Sequence, residues 1–172
     1  MNRDIAVIIL AAGKGERMHS AIPKVLHNLC GRPMLGYVLE LARSLKPKKI
    51  IAVLGYKHEL VKETLSLGVD TVIQGRLKGT ADAVKQALPK LKGFKGTLLV
   101  LYGDTPLLKK ENVDKLLKLH IENKLDATLL IANMDKPKGY GRILRDKYSS
   151  IYGITEEKDA DDFDKEIKEI NT

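Results

Sequence analysis

The chain is predicted to be an α/β protein built on a mostly parallel sheet with helices on both faces. Two observations carry this expectation. Short, uninterrupted apolar runs recur along the chain, at Ile5–Leu10, Ile50–Leu54, Val69–Ile73, Leu98–Leu101 and Ala127–Ala132. Between them lie longer segments whose apolar residues return at helical spacing. A strand buried on both faces reads as a continuous apolar run, whereas a half-exposed strand alternates. Strand–helix alternation of this kind builds parallel sheets.

The helices follow from the same periodicity. Val84, Ala87, Leu88 and Leu91 mark one apolar face, which Pro89 should cut short because proline lacks the amide hydrogen a helix interior needs. Val113, Leu116, Leu117 and Ile121 mark another. At 172 residues the chain can bury a core of its own. The apolar run Ile5–Ala12 is too short to span a bilayer, which takes about 20 residues. Asp4 and the glycines beyond it argue against a secretion signal. The single cysteine, Cys30, excludes an internal disulfide. It is expected to be a small packed side chain, and a cytoplasmic location fits. The net charge of +8 is spread among acidic neighbours, aromatics are 5% of residues and tryptophan is absent. That composition suits a solvated surface, and supplies few platforms for stacking nucleic-acid bases.

In parallel sheets ligands bind beyond the carboxyl ends of the strands, so the post-strand segments carry the functional candidates. The first strand runs into Leu10-Ala11-Ala12-Gly13-Lys14-Gly15-Glu16-Arg17-Met18, followed by Pro23-Lys24. Glycines let successive amide groups approach a phosphate, and Arg17 and Lys24 add two cations just beyond. A dinucleotide fingerprint wants a third glycine where Met18 stands and an acidic residue where Leu54-Gly55-Tyr56 stands. A P-loop wants Gly-Lys-Ser/Thr, which is also missing. The third strand is followed by Gln74-Gly75 and then Lys78-Gly79-Thr80. Thr80 is expected to cap a helix whose first turn holds Asp82, and the same segment could read a nucleobase. The fourth strand is followed by Tyr102-Gly103-Asp104-Thr105-Pro106, where Asp104 could hold Mg²⁺ or cap a helix. The four histidines lack metal-ligand spacing, and no Ser/His/Asp arrangement is legible. Nucleotidyl transfer needs neither, because a sugar phosphate arrives with its nucleophilic oxygen already ionised. It needs in-line positioning, a metal and cations.

Those residues carry a resemblance. Leu10–Met18 with Pro23-Lys24 resembles the signature of the sugar-nucleotide pyrophosphorylases. Val25-Leu26-His27, Gly31-Arg32-Pro33-Met34-Leu35, Gly139-Tyr140-Gly141-Arg142 and Glu156-Glu157-Lys158-Asp159-Ala160 are similar to the uridylyltransferase halves of bacterial bifunctional enzymes of UDP-N-acetylglucosamine synthesis. The resemblance implies a Rossmann-like fold of the nucleotide-diphospho-sugar transferase type. It also implies transfer of a uridylyl group from UTP to N-acetylglucosamine 1-phosphate with Mg²⁺ as cofactor. Leu10, Ala11, Ala12 and Gly13 would line the nucleotide pocket, Arg17 would meet the departing pyrophosphate and Lys24 the phosphates. Gln74, Gly79 and Thr80 would read uracil, Tyr102 and Gly103 would flank the site, and Asp104 would hold the metal. Gly139, Glu156 and Asn171 would contact the sugar.

By the same pattern, residues 1–172 would be one nucleotidyltransferase domain, incomplete at its C-terminal end. A second metal-holding residue would lie beyond Thr172, and the β-helix acetyltransferase domain of the pattern would be absent. Asp82 stands where many relatives carry another residue. The partners implied are small molecules, with neither nucleic acid nor membrane, and full-length members of the family are expected to be homo-oligomeric. A nucleotide-sugar binding module without turnover remains open, as does a related nucleotidyltransferase for another base or acceptor.

Overall fold

The computed structural model describes residues 4–15, 18–76 and 79–171. The chain divides into two compact units, Met1–Val113 and Asp114–Thr172. In the first, β1 (Ile5–Ala11) is followed by a short hairpin, β2 (Asn28–Leu29) and β3 (Arg32–Pro33), and then α1 (Met34–Ser44). Next come β4 (Lys49–Leu54), α2 (His58–Glu63), β5 (Val69–Ile73), α3 (Thr80–Ala87) and β6 (Thr97–Tyr102). The boundary between the units falls within α4 (Lys110–Glu122).

Four strands form a parallel sheet in the order β5-β4-β1-β6. Central β1 and β4 are buried almost throughout, which is why they read as unbroken apolar runs. Alternate residues serve opposite faces. Ala6, Ile8, Ile51 and Val53 pack with Ala83 and Ala87 of α3 and with Leu91. The opposite face meets α1 and α2, which bury Leu35, Val38, Leu39, Ala42 and Val61. As expected, α3 stops at Ala87, and the chain continues through Pro89 as a 3₁₀ turn, Leu88–Leu91. At the sheet edge, β6 alternates, with Leu98 40% and Val100 37% exposed.

The strand order makes a switch point. From β1 the chain moves outward to β4 and β5 on one side, then returns to β6 on the other. Loops leaving β1 and β6 therefore turn away from each other and open a crevice at their carboxyl ends. Register keeps those ends level, pairing Leu10 with Tyr102, Ala11 with Leu54, and Leu54 with Ile73.

The second unit holds an antiparallel sheet of β7 (Ile131–Asn133), β8 (Arg142–Arg145), β9 (Ile151–Thr155) and β10 (Glu169–Asn171), in the order β7-β10-β8-β9. The short helix α5 (Asp162–Lys165) lies between β9 and β10 in sequence.

Three sequence expectations need correcting. Cys30 is exposed rather than packed, at φ 50° in the turn joining β2 to β3. Apolar neighbours in sequence do not bury a residue that sits at a hairpin tip. Thr80 is the first helical residue of α3 rather than its cap. Gly79 is the cap, at φ 96° and ψ −179°, a conformation open essentially to glycine alone. The strand expected at Ala127–Ala132 is instead Ile131–Asn133, and residues 127–130 lie outside any strand. Among the described residues, no helix is long and apolar enough to cross a membrane.

Candidate active site

A cavity of about 530 Å³ lies over the carboxyl ends of β5, β1 and β6 in the first unit, within the size range of small-molecule sites. From β1 and the loop after it come Leu10, Ala12, Gly13, Gly15 and Met18. The 3₁₀ turn Lys24–Leu26 adds Lys24 and Val25. The β5–α3 segment contributes Gln74, Gly79, Thr80 and Ala83, and the end of β6 contributes Tyr102 and Asp104.

Glycine decides the geometry at two points of the first loop. Gly15 sits at φ 70°, and a Cβ there would lie 2.6 Å from Cβ of Lys24. Its bare backbone therefore lets Lys24 lie against the loop. Gly13 is the opposite case. Among the described residues, and leaving its chain neighbours aside, a Cβ there would meet nothing within 4 Å. Ala11 is buried and is not part of the lining. Gly103 lies beneath the site, where its amide donates to the Leu10 carbonyl at 2.9 Å and continues the β1–β6 ladder.

Lys24 Nζ is 2.7 Å from Asp104 Oδ2, with the two side chains 37% and 27% exposed. A pair this open to water is worth about 0–1 kcal/mol. A phosphate or a metal ion can therefore part it at little cost. Asp104 lies in the turn after β6 and well before the start of α4 at Lys110, so it does not cap that helix. Gln74 is only 5% exposed. Its amide Nε2 donates to the Gly79 carbonyl at 3.2 Å and to Asp82 Oδ2 at 2.7 Å. Arg17 lies outside the described residues.

Gly139, Glu156 and Asn171 belong to the second unit. There, the segments carrying them converge. The Asn171 amide donates to the Gly141 carbonyl at 3.2 Å, and a Cβ on Gly141 would come within 2.6 Å of Asn171 Oδ1. Arg142 is 2% exposed. It donates through Nη1 to the Tyr140 carbonyl and places Nη2 2.8 Å from Glu157 Oε2. Partial desolvation pushes the Glu157 carboxyl upward, but hydrogen bonds from Arg142 and from the Gly139 backbone outweigh it and hold the group below its ordinary value. Glu157 thus ties the Gly139–Arg142 turn to the end of β9, next to exposed Glu156.

Sequence reasoning did not reach the Arg142–Glu157 pair or the contact of Gln74 with Asp82. A buried arginine looks like any surface arginine in sequence. The Gln74–Asp82 contact forms only because the loop before α3 folds back at Gly79.

A glycine loop, a lysine and a carboxylate converging at a switch point are a combination chemically suited to phosphorylated ligands. The chain belongs to the family of MobA-like NTP transferase domains, whose pattern it matches over residues 7–165. It is therefore a nucleotidyltransferase domain. Among curated proteins it is similar to Bifunctional protein GlmU of Streptococcus sanguinis (strain SK36), with 47% identity over 96% of this chain and 36% of that protein. It is equally similar to Bifunctional protein GlmU of Pelotomaculum thermopropionicum, with 47% identity over 98% of this chain and 37% of the relative. The chain thus spans little more than a third of the length of these relatives. Among solved structures, a UDP-glucose pyrophosphorylase complexed with UDP-glucose shares the fold at a TM-score of 0.78. It is 16% identical, and the match covers 98% of this chain and 73% of that one.

Proposed function

We propose that the chain transfers the uridylyl group of UTP to N-acetylglucosamine 1-phosphate, releasing pyrophosphate. The observation that carries the proposal is the convergence of Gly13, Lys24, Gln74 and Asp104 on one cavity at the switch point. The 47% identity to proteins named Bifunctional protein GlmU supports the choice of base and acceptor.

In this reading an oxygen of the sugar phosphate forms a bond to the α-phosphorus as the bond from that phosphorus to the pyrophosphate oxygen breaks. The attacking oxygen is ionised at neutral pH, so no side-chain base is required. The glycine loop receives the phosphates through its amides, and Lys24 leaves Asp104 to offset their charge. Arg17 meets the charge that grows on the leaving pyrophosphate. Gln74, Gly79 and Thr80 hold the uracil, while Gly139, Glu156 and Asn171 hold the sugar.

Asp104 offers Mg²⁺ a hard carboxylate oxygen. No cluster of three His, Cys, Asp or Glu that could hold a metal exists among the described residues. Mg²⁺ is commonly held by one or two carboxylates with phosphates and water completing its shell, and Asp104 fits that pattern. When bound, the ion would neutralise charge on the triphosphate.

The test is pyrophosphate release with Mg²⁺ across the four ribonucleoside triphosphates and a panel of sugar 1-phosphates. Release that is greatest with UTP and N-acetylglucosamine 1-phosphate is expected. Preference for another pair would overturn the substrate assignment. Tight UTP binding without release would make the chain a binding module.

A further inference from the structure

We infer that Asp82 is the positioning residue that sets base selectivity, by locking the Gln74 amide so that only its carbonyl oxygen is left for a ligand. The inference rests on the uracil site proposed above and goes beyond it. It concerns what gives that site its hydrogen-bond polarity.

Gln74 lines the cavity yet is itself 5% exposed. A primary amide carries two N–H donors on nitrogen and acceptor lone pairs on oxygen. Both donors of Gln74 have partners, the Gly79 carbonyl at 3.2 Å and Asp82 Oδ2 at 2.7 Å. A backbone carbonyl and an ionised carboxylate can only accept. Turning the amide over would set Oε1 against two oxygens in a buried place, where unmatched polar groups are costly. The orientation is therefore dictated by the partners, whichever way the two ends of the amide are drawn.

What remains for a ligand is Oε1, a pure acceptor. A uracil ring presents an N3–H to such a group, whereas the N3 of cytosine is a bare acceptor. The two bases have nearly the same shape and differ in hydrogen-bonding sense at N3 and at the C4 substituent, so an acceptor set opposite N3 accepts from uracil and meets only a lone pair on cytosine. Gly79 alone would hold the amide loosely, through a single 3.2 Å bond. Asp82 supplies the shorter, charge-assisted contact, and reaches Gln74 from the first turn of α3. Asp82 needs no contact with the nucleotide to act.

The experiment measures Kd for UTP and CTP with Mg²⁺ by calorimetry on the wild-type chain, Asp82→Ala and Asp82→Asn, with Tm for each. The wild-type chain should favour UTP. In Asp82→Ala the amide can turn over, so UTP binding should weaken while CTP binding strengthens, lowering the UTP:CTP preference about tenfold or more. Asp82→Asn offers Oδ1 as an acceptor in the same place and should retain most of the preference. A structural role alone cannot produce opposite changes for the two nucleotides. Equal weakening of both, or an unchanged ratio in Asp82→Ala, would overturn the inference while leaving the uracil site intact. Wild-type preference for CTP, or failure to bind any nucleotide, would instead overturn the parent assignment and the inference with it.

A readout on the wild-type chain guards against a variant that does not fold. The side-chain amide protons of Gln74 should exchange slowly with solvent by NMR, both before and after UTP is added. Rapid exchange of those protons would overturn the inference without any substitution.

Discussion

Replacing each glycine of the first loop by alanine separates folding from ligand binding. Gly15 sits at φ 70°, and its added Cβ would lie 2.6 Å from Cβ of Lys24. A left-handed backbone costs an L-residue about 1–2 kcal/mol. The overlap falls on an atom next to the Lys24 backbone rather than on a flexible chain end, and adds about 1–3 kcal/mol. The loop can relax in part, so about 2–3 kcal/mol is expected, which for a chain of this size lowers Tm by about 4–12 °C. Gly13→Ala meets no atom within 4 Å among the described residues beyond its chain neighbours, and has no left-handed φ to maintain. Its Tm should stay within about 4 °C of wild type, since such changes alter stability by about 1 kcal/mol or less. The new methyl would nevertheless stand beside the cavity where a phosphate must approach the backbone. Intrusion into a packed contact costs about 1–3 kcal/mol, or about 5- to 150-fold in Kd. Differential scanning fluorimetry and calorimetry with UTP read the two effects. Unchanged UTP affinity in Gly13→Ala would refute the idea that this glycine is bare for a ligand. A wild-type Tm in Gly15→Ala would refute the packing of the loop against Lys24.

Three further outcomes follow from the same geometry. Asp104→Asn should shift stability by less than about 1 kcal/mol, because its ion pair with Lys24 remains partly open to water, yet abolish the Mg²⁺ dependence of UTP binding in a calorimetric titration. A normal metal response would remove Asp104 from the metal site. Arg17→Ala should lower kcat about 10²- to 10³-fold with little change in UTP affinity, if the residue meets charge that develops only in the transition state. Steady-state and binding measurements together check this, and a raised KM at constant kcat would contradict it. Finally, partners hold the Glu157 and Glu169 carboxyls below the ordinary value of 4.5. A depressed folded-state value means that the stabilisation is present above about pH 4.5 and is lost as pH falls through the lower folded-state values. Circular dichroism from pH 6 down to pH 3 should show this acid loss, and Glu157→Gln should lessen it. An identical pH profile in that variant would contradict the assignment.

How much of this was legible in sequence depended on range. Central strands announced themselves because β1 and β4 are apolar on both faces, and Pro89 marked the end of α3 through its missing amide hydrogen. Post-strand segments pointed to Gly13, Gln74 and Asp104 because a parallel sheet brings strand ends together whatever the loops do. Of the second sheet, only β7 was anticipated, and that in part, by the run Ala127–Ala132. Its strands β7 and β10 are only three residues long, too short for alternation to declare itself. Nor could sequence foresee that Gly79 rather than Thr80 caps α3, since that depends on a backbone at φ 96°. Cys30 shows the same limit, because burial is decided by the turn it sits in and not by its neighbours in the chain. The ion pair between Lys24 and Asp104 joins residues eighty positions apart, and only the sheet order brings them into contact.

The most direct test of the account is where UTP binds. Chemical-shift mapping of the labelled chain with UTP and Mg²⁺ should move the resonances of Gly13, Gln74, Gly79 and Gly103, on the loops that follow β1, β5 and β6. Saturable shifts at those residues are the predicted result. Shifts confined to other surfaces, with those four residues silent, would contradict the claim that the switch-point cavity is the nucleotide site.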